Sequence, residues 1–312
     1  MSSDTTTNDV LTGTDLTGQV VVITGASSGL GEETARAMSA AGADVVMAVR
    51  DLDKGQAAAD RIRAAHPHAR LELHQLDLTS LADVRSSAEQ LVQTHGRVDR
   101  LINNAGVMAA PLSYTSDGFE LQLGTNHLGH FLWTTRLMPA VLAGAPSRIV
   151  NLSSRGHFRG SVDFDDPHYR SRPYDKWAAY GQSKTANIWF TVELDRRFRG
   201  KGVRAYAVHP GVIMTELSRH LVPDDLHTLA SRMPAGALNP KSVEAGAATT
   251  VWAATAPELA AVGGVYCEDC EVAGPAVGET PTKGYAAHAM DAEAARRLWT
   301  WSEEQVGEAF AS

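Results

Sequence analysis

The chain has 312 residues, and its 44% of apolar and 21% of charged residues are typical of a folded protein with a sizeable core. The formal net charge of −8 argues against a nucleic acid backbone or an anionic membrane as the main partner. No apolar run is long enough to span a bilayer, and the presence of only two cysteines excludes a disulfide framework.

Residues 1–17 are rich in Ser, Thr and Asp. They lack the basic start and the apolar stretch of a secretory signal, so we expect a mobile N-terminal tail on a cytoplasmic protein. The remaining residues, 18–312, contain no low-complexity tract or repeat other than alternating strand and helix patterns. They are predicted to form one domain.

A glycine-rich turn follows the first predicted strand. Residues 19–24 form an apolar run typical of a strand buried in a parallel sheet, and a helix over 32–41 and a strand over 43–49 follow the turn. Glycines spaced as G-x-x-x-G-x-G let the backbone approach a ligand and direct the amides of a helix start at an anion. A purely structural turn is the alternative. The flanking elements favour a pyrophosphate site formed by Gly25, Ser27, Ser28, Gly29, Leu30 and Gly31.

Arg50 directly follows the second strand, where the adenosine ribose of a bound dinucleotide would lie. An arginine at this place suits a 2′-phosphate, whereas an acidic residue suits a 2′-hydroxyl. Asp51 comes next and weakens this distinction, and a solvated arginine at a strand end is the alternative. We therefore expect NADP(H) as the favoured cofactor and NAD(H) as the second choice.

Strand and helix patterns then alternate, which predicts an α/β fold with a doubly wound parallel sheet. Helices are predicted over 57–65, 82–94, 121–138, 243–254 and 291–307, and strands over 71–76, 100–102, 148–152, 203–208 and 264–266. Polar residues at the strand ends of such a sheet contact the ligand, although they also close turns. Cofactor contacts are expected from Asp77, Leu78, Asn103, Asn104, Ala105 and Gly106.

Tyr180 and Lys184 are four residues apart in an apolar, helix-like run. On a helix this spacing places both side chains on one face, one turn apart. A nearby ammonium group favours the phenolate and lowers the pKa of the tyrosine, which would allow proton exchange near neutral pH. The alternative is an exposed pair on a solvated helix face, so the remaining motifs must decide.

Those motifs are, in chain order, Thr24-Gly25-x-x-x-Gly29-x-Gly31, Asn103-Asn104-Ala105-Gly106, Asn126, Ser154, Tyr180-x-x-x-Lys184 and Pro210-Gly211. Together they resemble the short-chain dehydrogenase/reductase family over residues 18–270, and most closely its retinol-dehydrogenase and WW-domain-oxidoreductase branch. The resemblance implies a Rossmann-type sheet of about seven parallel strands. It also implies a nicotinamide cofactor and interconversion of a carbonyl and an alcohol.

The resemblance also implies roles for single residues. Tyr180 would donate the proton during reduction and accept it during oxidation, while Lys184 would hold the nicotinamide ribose. Ser154, rather than the adjacent Ser153, would donate a hydrogen bond to the substrate oxygen. Asn126 would hold a water that links Lys184 to solvent; an amide bonded to a neighbouring backbone group is the alternative. The implied contacts to the nicotinamide end come from Pro210, Gly211, Val212 and Thr215.

Two segments are predicted to shape the substrate pocket. Residues 155–177 lengthen the spacing between Ser154 and Tyr180, and their polar, proline-containing sequence is typical of a loop. Residues 212–241 correspond to a mobile lid in the family, and their apolar content indicates a hydrophobic substrate.

Further predictions concern metals, the C-terminus and self-association. No metal site is predicted, because Cys267 and Cys270 have no two further ligands; we expect buried thiols. His209 is interpreted as structural. The helix over 291–307 is expected to pack on the body or on a sister subunit, and the resemblance implies a homodimer or homotetramer.

Two alternatives to an oxidoreductase were considered. A non-catalytic dinucleotide sensor would keep the glycine turn and lose a catalytic residue, whereas Ser154, Tyr180 and Lys184 are all present. An epimerase or dehydratase of the extended branch would show another glycine spacing and a larger C-terminal substrate domain. Neither feature occurs in this chain.

Overall fold

The computed structural model describes residues 3–214, 217, 240–278 and 281–310. Its centre is one eight-stranded sheet in the order β3-β2-β1-β4-β5-β6-β7-β8. The strands are β1 Val20–Thr24, β2 Asp44–Val49, β3 Arg70–Gln75, β4 Arg100–Asn103, β5 Ser147–Leu152, β6 Val203–His209, β7 Val265–Glu268 and β8 Glu271–Val272. The first seven strands pair in parallel, as predicted.

The eighth strand was not predicted from the sequence. β8 has two residues and pairs antiparallel with β7 at the sheet edge. The connecting residues Asp269 and Cys270 both have positive φ, 50° and 56°, which is the backbone of a tight hairpin turn. Neither residue is a glycine, so the usual sequence signal for such a turn is missing.

Helices cover both faces of the sheet. They are α1 Thr7–Val10, α2 Gly29–Ala40, α3 Leu52–Ala65, α4 Leu81–His95, α5 Leu121–Leu123, α6 His130–Ala143, α7 Lys176–Phe198, α8 Val243–Thr255 and α9 Ala292–Val306. One apolar cluster joins α4, α6, α7 and α9 to one face, and a second joins α2, α3 and α8 to the other. None of the described helices combines the length and the apolarity that a bilayer crossing needs.

The N-terminal residues differ from the predicted mobile tail. Thr6 caps the short helix α1, Thr7 is fully buried, and Leu16 is inserted in the apolar core. Thr7 donates a hydrogen bond to Glu33, and Arg36 Nη2 donates to Thr7 Oγ1 over 3.1 Å. The tail prediction is therefore corrected for residues 6–16, because a partly buried ion pair on α2 needs the polar partners that this segment supplies.

The predicted helix over 121–138 is not regular. A π-helical turn, Gly124–Gly129, separates α5 from α6, and α6 continues to Ala143. Such turns widen a helix by one residue and recur at functional sites. The turn contains Asn126, so it decides where this side chain points.

The two cysteines and the C-terminal helix both lie against the core of the protein. Cys267 and Cys270 are both free and buried, as expected, and burial raises the pKa of Cys267 to about 12. The helix α9 packs on the body of its own chain, with Leu298 and Trp299 each 1% exposed against α6 and α7. Packing on the body, one of the two predicted locations for this helix, is thereby confirmed.

Candidate active site

The predicted site residues gather at one edge of the sheet. β1, β4 and β5 are neighbouring parallel strands, so their carboxyl ends lie side by side. This is the edge at which doubly wound sheets bind ligands. Gly25, Asn104 and Ser153 follow these three strands directly, which brings segments distant in sequence into contact.

The glycine turn is tightly packed and leaves a helix start open. Gly25 has φ 68°, and a Cβ added at Gly31 would lie 2.3 Å from the carbonyl oxygen of Gly25. Helix α2 begins at Gly29, and the side chain of its N-cap, Ser28, makes no capping hydrogen bond. Ser27 and Leu30 complete the turn. An uncapped helix start behind a glycine-rich turn fits the pyrophosphate of a dinucleotide.

The two predicted asparagine contacts have different environments. Asn104 Nδ2 donates to the carbonyl oxygen of Thr24 over 2.8 Å, so it fixes the glycine turn. Asn103 is 2% exposed, and its Nδ2 donates to Thr134 and Asn151 over 2.8 and 2.7 Å. Its side chain is therefore directed into the interior, so a contact of Asn103 with the cofactor would come from its backbone. Successive residues of a strand point to opposite faces of the sheet, so the side chains of Asn103 and Asn104 point in opposite directions.

Arg50 and Asp51 also have separate roles. Arg50 is exposed directly after β2. Asp51 is the N-cap of α3, and its Oδ1 accepts a hydrogen bond from the Lys54 amide over 3.1 Å. Asp51 is thus the member of the pair that caps α3, and Arg50 is an exposed cation beside it.

Asp77 and Leu78 form the turn after β3. Asp77 Oδ1 accepts hydrogen bonds from the amide and the hydroxyl of Thr79 over 2.9 and 2.7 Å. Leu78 is 7% exposed, and its carbonyl oxygen would lie 2.5 Å from a Cβ at Gly129. Both residues thus shape the wall between this turn and the π-helical turn.

Tyr180 and Lys184 lie on one face of α7, as predicted. Lys184 Nζ is 5.5 Å from the centroid of the Tyr180 ring and donates to the carbonyl oxygen of Leu152 over 3.0 Å. The two residues are 6% and 4% exposed. The exposed surface pair considered as an alternative is thereby excluded.

The electrostatics of this pair differ from the prediction. Burial raises the pKa of Tyr180 to about 12, opposed by a smaller effect of the hydrogen bond with Ser154. Burial also lowers the pKa of Lys184 to about 8. The expected lowering of the Tyr180 pKa is therefore wrong for the geometry described. Desolvation outweighs the ammonium, since Lys184 is directed at a backbone carbonyl.

The structure separates the two adjacent serines. Ser154 begins the 3₁₀ helix Arg155–Arg159, accepts a hydrogen bond from the Gly156 amide over 3.0 Å and pairs with Tyr180. Ser153 is 3% exposed and donates to the carbonyl oxygen of Lys184 over 2.9 Å. Gly156 was missed in the sequence; a Cβ there would lie 2.8 Å from the Tyr180 ring, and the motif gives no signal for it.

Asn126 joins the loop after β4 to the helix of the Tyr–Lys pair. Its Oδ1 accepts from the Val107 amide over 2.8 Å, and its Nδ2 donates to the Val107 carbonyl and the Ser183 hydroxyl, both over 2.9 Å. The neighbouring Gly106 is equally constrained, because a Cβ there would lie 3.1 Å from Asn126 Oδ1 and 3.7 Å from Lys184 Nζ. Asn126 thus holds Gly106 and Lys184 close together.

The 155–177 segment is packed against the start of the helix that carries Asn126. The Tyr174 hydroxyl donates to the Ala110 carbonyl over 2.9 Å and to Glu120 Oε1 over 3.2 Å. Glu120 is fully buried, and burial raises its pKa. The sequence indicated a loop at the site but gave no signal for this contact, because the partners lie 54 residues apart.

The segment after β6 is described only in part. Gly211 has φ 97°, and the carbonyl oxygen of Val212 accepts from the Lys241 amide over 2.9 Å. Pro210 precedes them at the same edge. Thr215 and most of the 212–241 segment lie outside the described residues. His209 is 7% exposed, and burial lowers its pKa to about 3, which agrees with the structural interpretation.

Comparisons with known proteins agree with this geometry. The family model for short chain dehydrogenase matches residues 19–226. Retinol dehydrogenase 13 of Homo sapiens is 43% identical over 291 residues, covering 93% of this chain and 85% of that protein. A solved structure of an uncharacterized protein from Mycobacterium paratuberculosis has a TM-score of 0.77 and 37% identity, covering 99% of this chain and 100% of its own.

A second solved structure is relevant to the cofactor. The Pseudomonas aeruginosa RhlG/NADP active-site complex has a TM-score of 0.65 and 27% identity, and it covers 81% of this chain and 95% of its own.

The chain described here therefore belongs to the short-chain dehydrogenase/reductase family, in its retinol-dehydrogenase-like branch, and is an alcohol/carbonyl oxidoreductase.

Proposed function

We propose that the protein uses NADP(H) to interconvert a hydrophobic carbonyl compound and its alcohol, with Tyr180 as the proton donor in reduction. The observation that carries this proposal is the convergence of Ser154, Tyr180 and Lys184 beside the glycine turn. Ser154 pairs with the Tyr180 hydroxyl, and Lys184 Nζ lies 5.5 Å from the Tyr180 ring. A carbonyl oxygen between the serine and tyrosine hydroxyls would be bound by two hydrogen bond donors.

The residues around the glycine turn fit the dinucleotide. The start of α2 at Gly29 would bind the pyrophosphate, Arg50 would pair with the 2′-phosphate, and Lys184 would hold the nicotinamide ribose. A bound nicotinamide supplies the hydride for reduction and accepts it in oxidation. The protein contributes position and electrostatics.

The protonation states favour Tyr180 as an acid. With a pKa of about 12, its phenol holds its proton at neutral pH and can donate it to a carbonyl oxygen. The Lys184 ammonium, charged below its pKa of about 8, stabilises the phenolate that this transfer leaves. Oxidation needs the phenolate at the start, so its rate is expected to rise with pH.

We expect NADPH-dependent reduction of ketones and aldehydes by the purified protein, with apolar substrates preferred over polar sugars. The apolar residues of the 212–241 segment and the exposed Met214 support this preference. The measurement is the loss of reduced-nicotinamide absorbance with a substrate panel that includes retinal, the aldehyde related to the alcohol named in the relative. Cofactor binding without turnover on any substrate would instead favour a dinucleotide sensor.

We expect Arg50→Ala to weaken NADPH binding by about tenfold or more while changing NADH binding by less than about twofold, because only the 2′-phosphate needs the cation. Dissociation constants of both cofactors, measured by fluorescence titration, check this. Arg296→Ala is the matched control, since it also removes an exposed arginine, from α9. If NADPH and NADH titrate alike in the parent and in Arg50→Ala, NADP(H) preference is not encoded here.

We also propose that the protein self-associates and that it is cytoplasmic. A homodimer or homotetramer is implied by the family resemblance. The helix α9 gives no support for it, because its apolar face packs on its own chain. Light scattering during gel filtration would measure the mass of the particle.

A further inference from the structure

We propose that His130 is a positioning residue that couples the glycine turn to Asn126 through a fixed, neutral imidazole. Its ring lies between the two parts of the site: Nε2 is 2.8 Å from Thr24 Oγ1, and Nδ1 is 3.1 Å from the backbone oxygen of Asn126. Thr24 ends β1, and Asn126 lies in the π-helical turn. This inference rests on the proposed function of the site.

The contacts of Thr24 decide which ring nitrogen carries the proton. Thr24 Oγ1 already accepts hydrogen bonds from the amides of Asn104 and Ala105, each over 3.0 Å. A hydroxyl oxygen has two lone pairs, so the Thr24 hydroxyl can only donate its own proton to a further partner. The acceptor is His130 Nε2 at 2.8 Å, because the other candidate, the Ile102 carbonyl oxygen, lies 3.5 Å away. Nδ1 then carries the proton and donates it to the Asn126 backbone oxygen, the only tautomer that satisfies both contacts.

Burial keeps this imidazole neutral. Thr24 and Asn126 are fully buried and His130 is 2% exposed, so no solvent competes for these hydrogen bonds. Desolvation lowers the pKa of His130 to about 4, and the positive charge of Lys184 contributes in the same direction. The tautomer is therefore constant over the pH range in which enzymes are usually assayed.

The link matters because Asn126 controls the distance between the cofactor loop and the Tyr–Lys helix. The Asn126 amide is bonded on one side to Val107 and on the other to Ser183, next to Lys184. The hydrogen bond that His130 Nδ1 donates to the Asn126 backbone oxygen fixes Asn126 in the irregular π-helical turn. A change at Thr24, in the glycine turn, is thus transmitted to the neighbours of Lys184.

A buried histidine of the same helix has a different connection. His127 is also fully buried, and its Nε2 is 2.8 Å from the Ser302 hydroxyl of α9. It therefore ties the π-helical turn to the C-terminal helix, away from the glycine turn. Because His127 lies in the turn that orients Asn126, the matched control is His74→Asn instead, since the His74 imidazole on β3 lies 2.8 Å from the Ser87 hydroxyl of α4.

Two substitutions at His130 each retain one half of the link. In His130→Asn, the side-chain amide takes the position of Nδ1 and keeps the donor to Asn126, but Thr24 loses its acceptor. In His130→Gln, the side-chain oxygen takes the position of Nε2 and keeps the acceptor for Thr24, but Asn126 loses its donor. We expect kcat to fall about tenfold in His130→Gln and less than about threefold in His130→Asn.

The two variants should show the opposite order for cofactor affinity. We expect the dissociation constant of NADPH to rise about fivefold in His130→Asn and to change less than about twofold in His130→Gln. A merely structural role would reduce thermal stability and change kcat and cofactor affinity in parallel. His74→Asn should lower the melting temperature while leaving both parameters near those of the parent.

Nitrogen-15 NMR of the protein without cofactor provides a readout that does not depend on turnover. The His130 signal, identified by its loss in His130→Asn, should have the pattern of a neutral ring protonated at Nδ1. A ring protonated at Nε2, or parallel changes of kcat and affinity in the two His130 variants, would overturn the proposal. An inactive parent would refute the proposed function, while the NMR and affinity measurements would still decide the role of His130.

Discussion

Tyr180→Phe is expected to lower kcat for carbonyl reduction by about a thousandfold, since general acid catalysis contributes factors of this order. The phenol is buried and paired with Ser154. Phenylalanine keeps the ring and therefore the packing against Gly156 and Lys184. We expect the affinity for NADPH to stay within about twofold of the parent. Steady-state kinetics and cofactor titration check both results.

Tyr206→Phe is the matched control for this substitution. Tyr206 is also a fully buried tyrosine, but its hydroxyl donates to the Leu259 carbonyl over 2.8 Å, away from the site. Removing that hydrogen bond should cost about 1 kcal/mol of stability and leave kcat unchanged. A Tyr180→Phe enzyme with the turnover of the parent would refute the proton-transfer role.

Lys184→Met is expected to abolish measurable turnover and, at the same time, to stabilise the fold. Burial lowers the pKa of Lys184 from its ordinary value of 10.5 to about 8, so a charged lysine at pH 7 costs about 3 kcal/mol of folding free energy. The lost hydrogen bond to Leu152 offsets about 1 kcal/mol of this gain. The Leu152 oxygen keeps its second donor, Asn187 Nδ2, at 2.9 Å. A net gain of about 2 kcal/mol should appear in denaturant unfolding at pH 7.

The pH dependence gives a second test of the same substitution. Between pH 8 and 10.5 the unfolded chain binds a proton at Lys184 that the folded chain has released. The contribution of Lys184 to stability therefore rises with pH in this window, and this slope should vanish in Lys184→Met. Lys241→Met is the control for stability. Its ammonium pairs with Asp269 over 2.6 Å, so removal should destabilise the fold at pH 7. If Lys184→Met unfolds more easily than the parent at pH 7, burial does not penalise this ammonium.

The motifs that sequence analysis located correctly are short-range features. Tyr180 and Lys184 share a face of α7 because residues four apart on a helix lie one turn apart. The glycines from 25 to 31 form a turn because Gly25 and Gly29 have a positive φ and Gly31 packs closely against the Gly25 carbonyl oxygen, and other residues resist both. The strand patterns located seven strands along the chain, and the family resemblance implied that they pair in parallel.

The features that the sequence did not reveal are contacts between residues that are distant in sequence. Asn103 turns inward because Thr134 and Asn151 supply partners from other elements. The N-terminal segment is packed because Glu33 and Arg36 on α2 bind it. No local pattern contains this information, since the same residues without these partners would be solvated.

Local sequence patterns were thus enough to predict which chemical groups belong to the candidate site and how they are spaced along the chain. The protonation of these groups, the separate environments of Ser153 and Ser154, and the link from Thr24 through His130 to Asn126 depend on the packing of the whole chain. The physical reason is that spacing along a helix or turn is set by the backbone of a few residues. Desolvation and hydrogen bonding of a buried group depend on every element that packs around it.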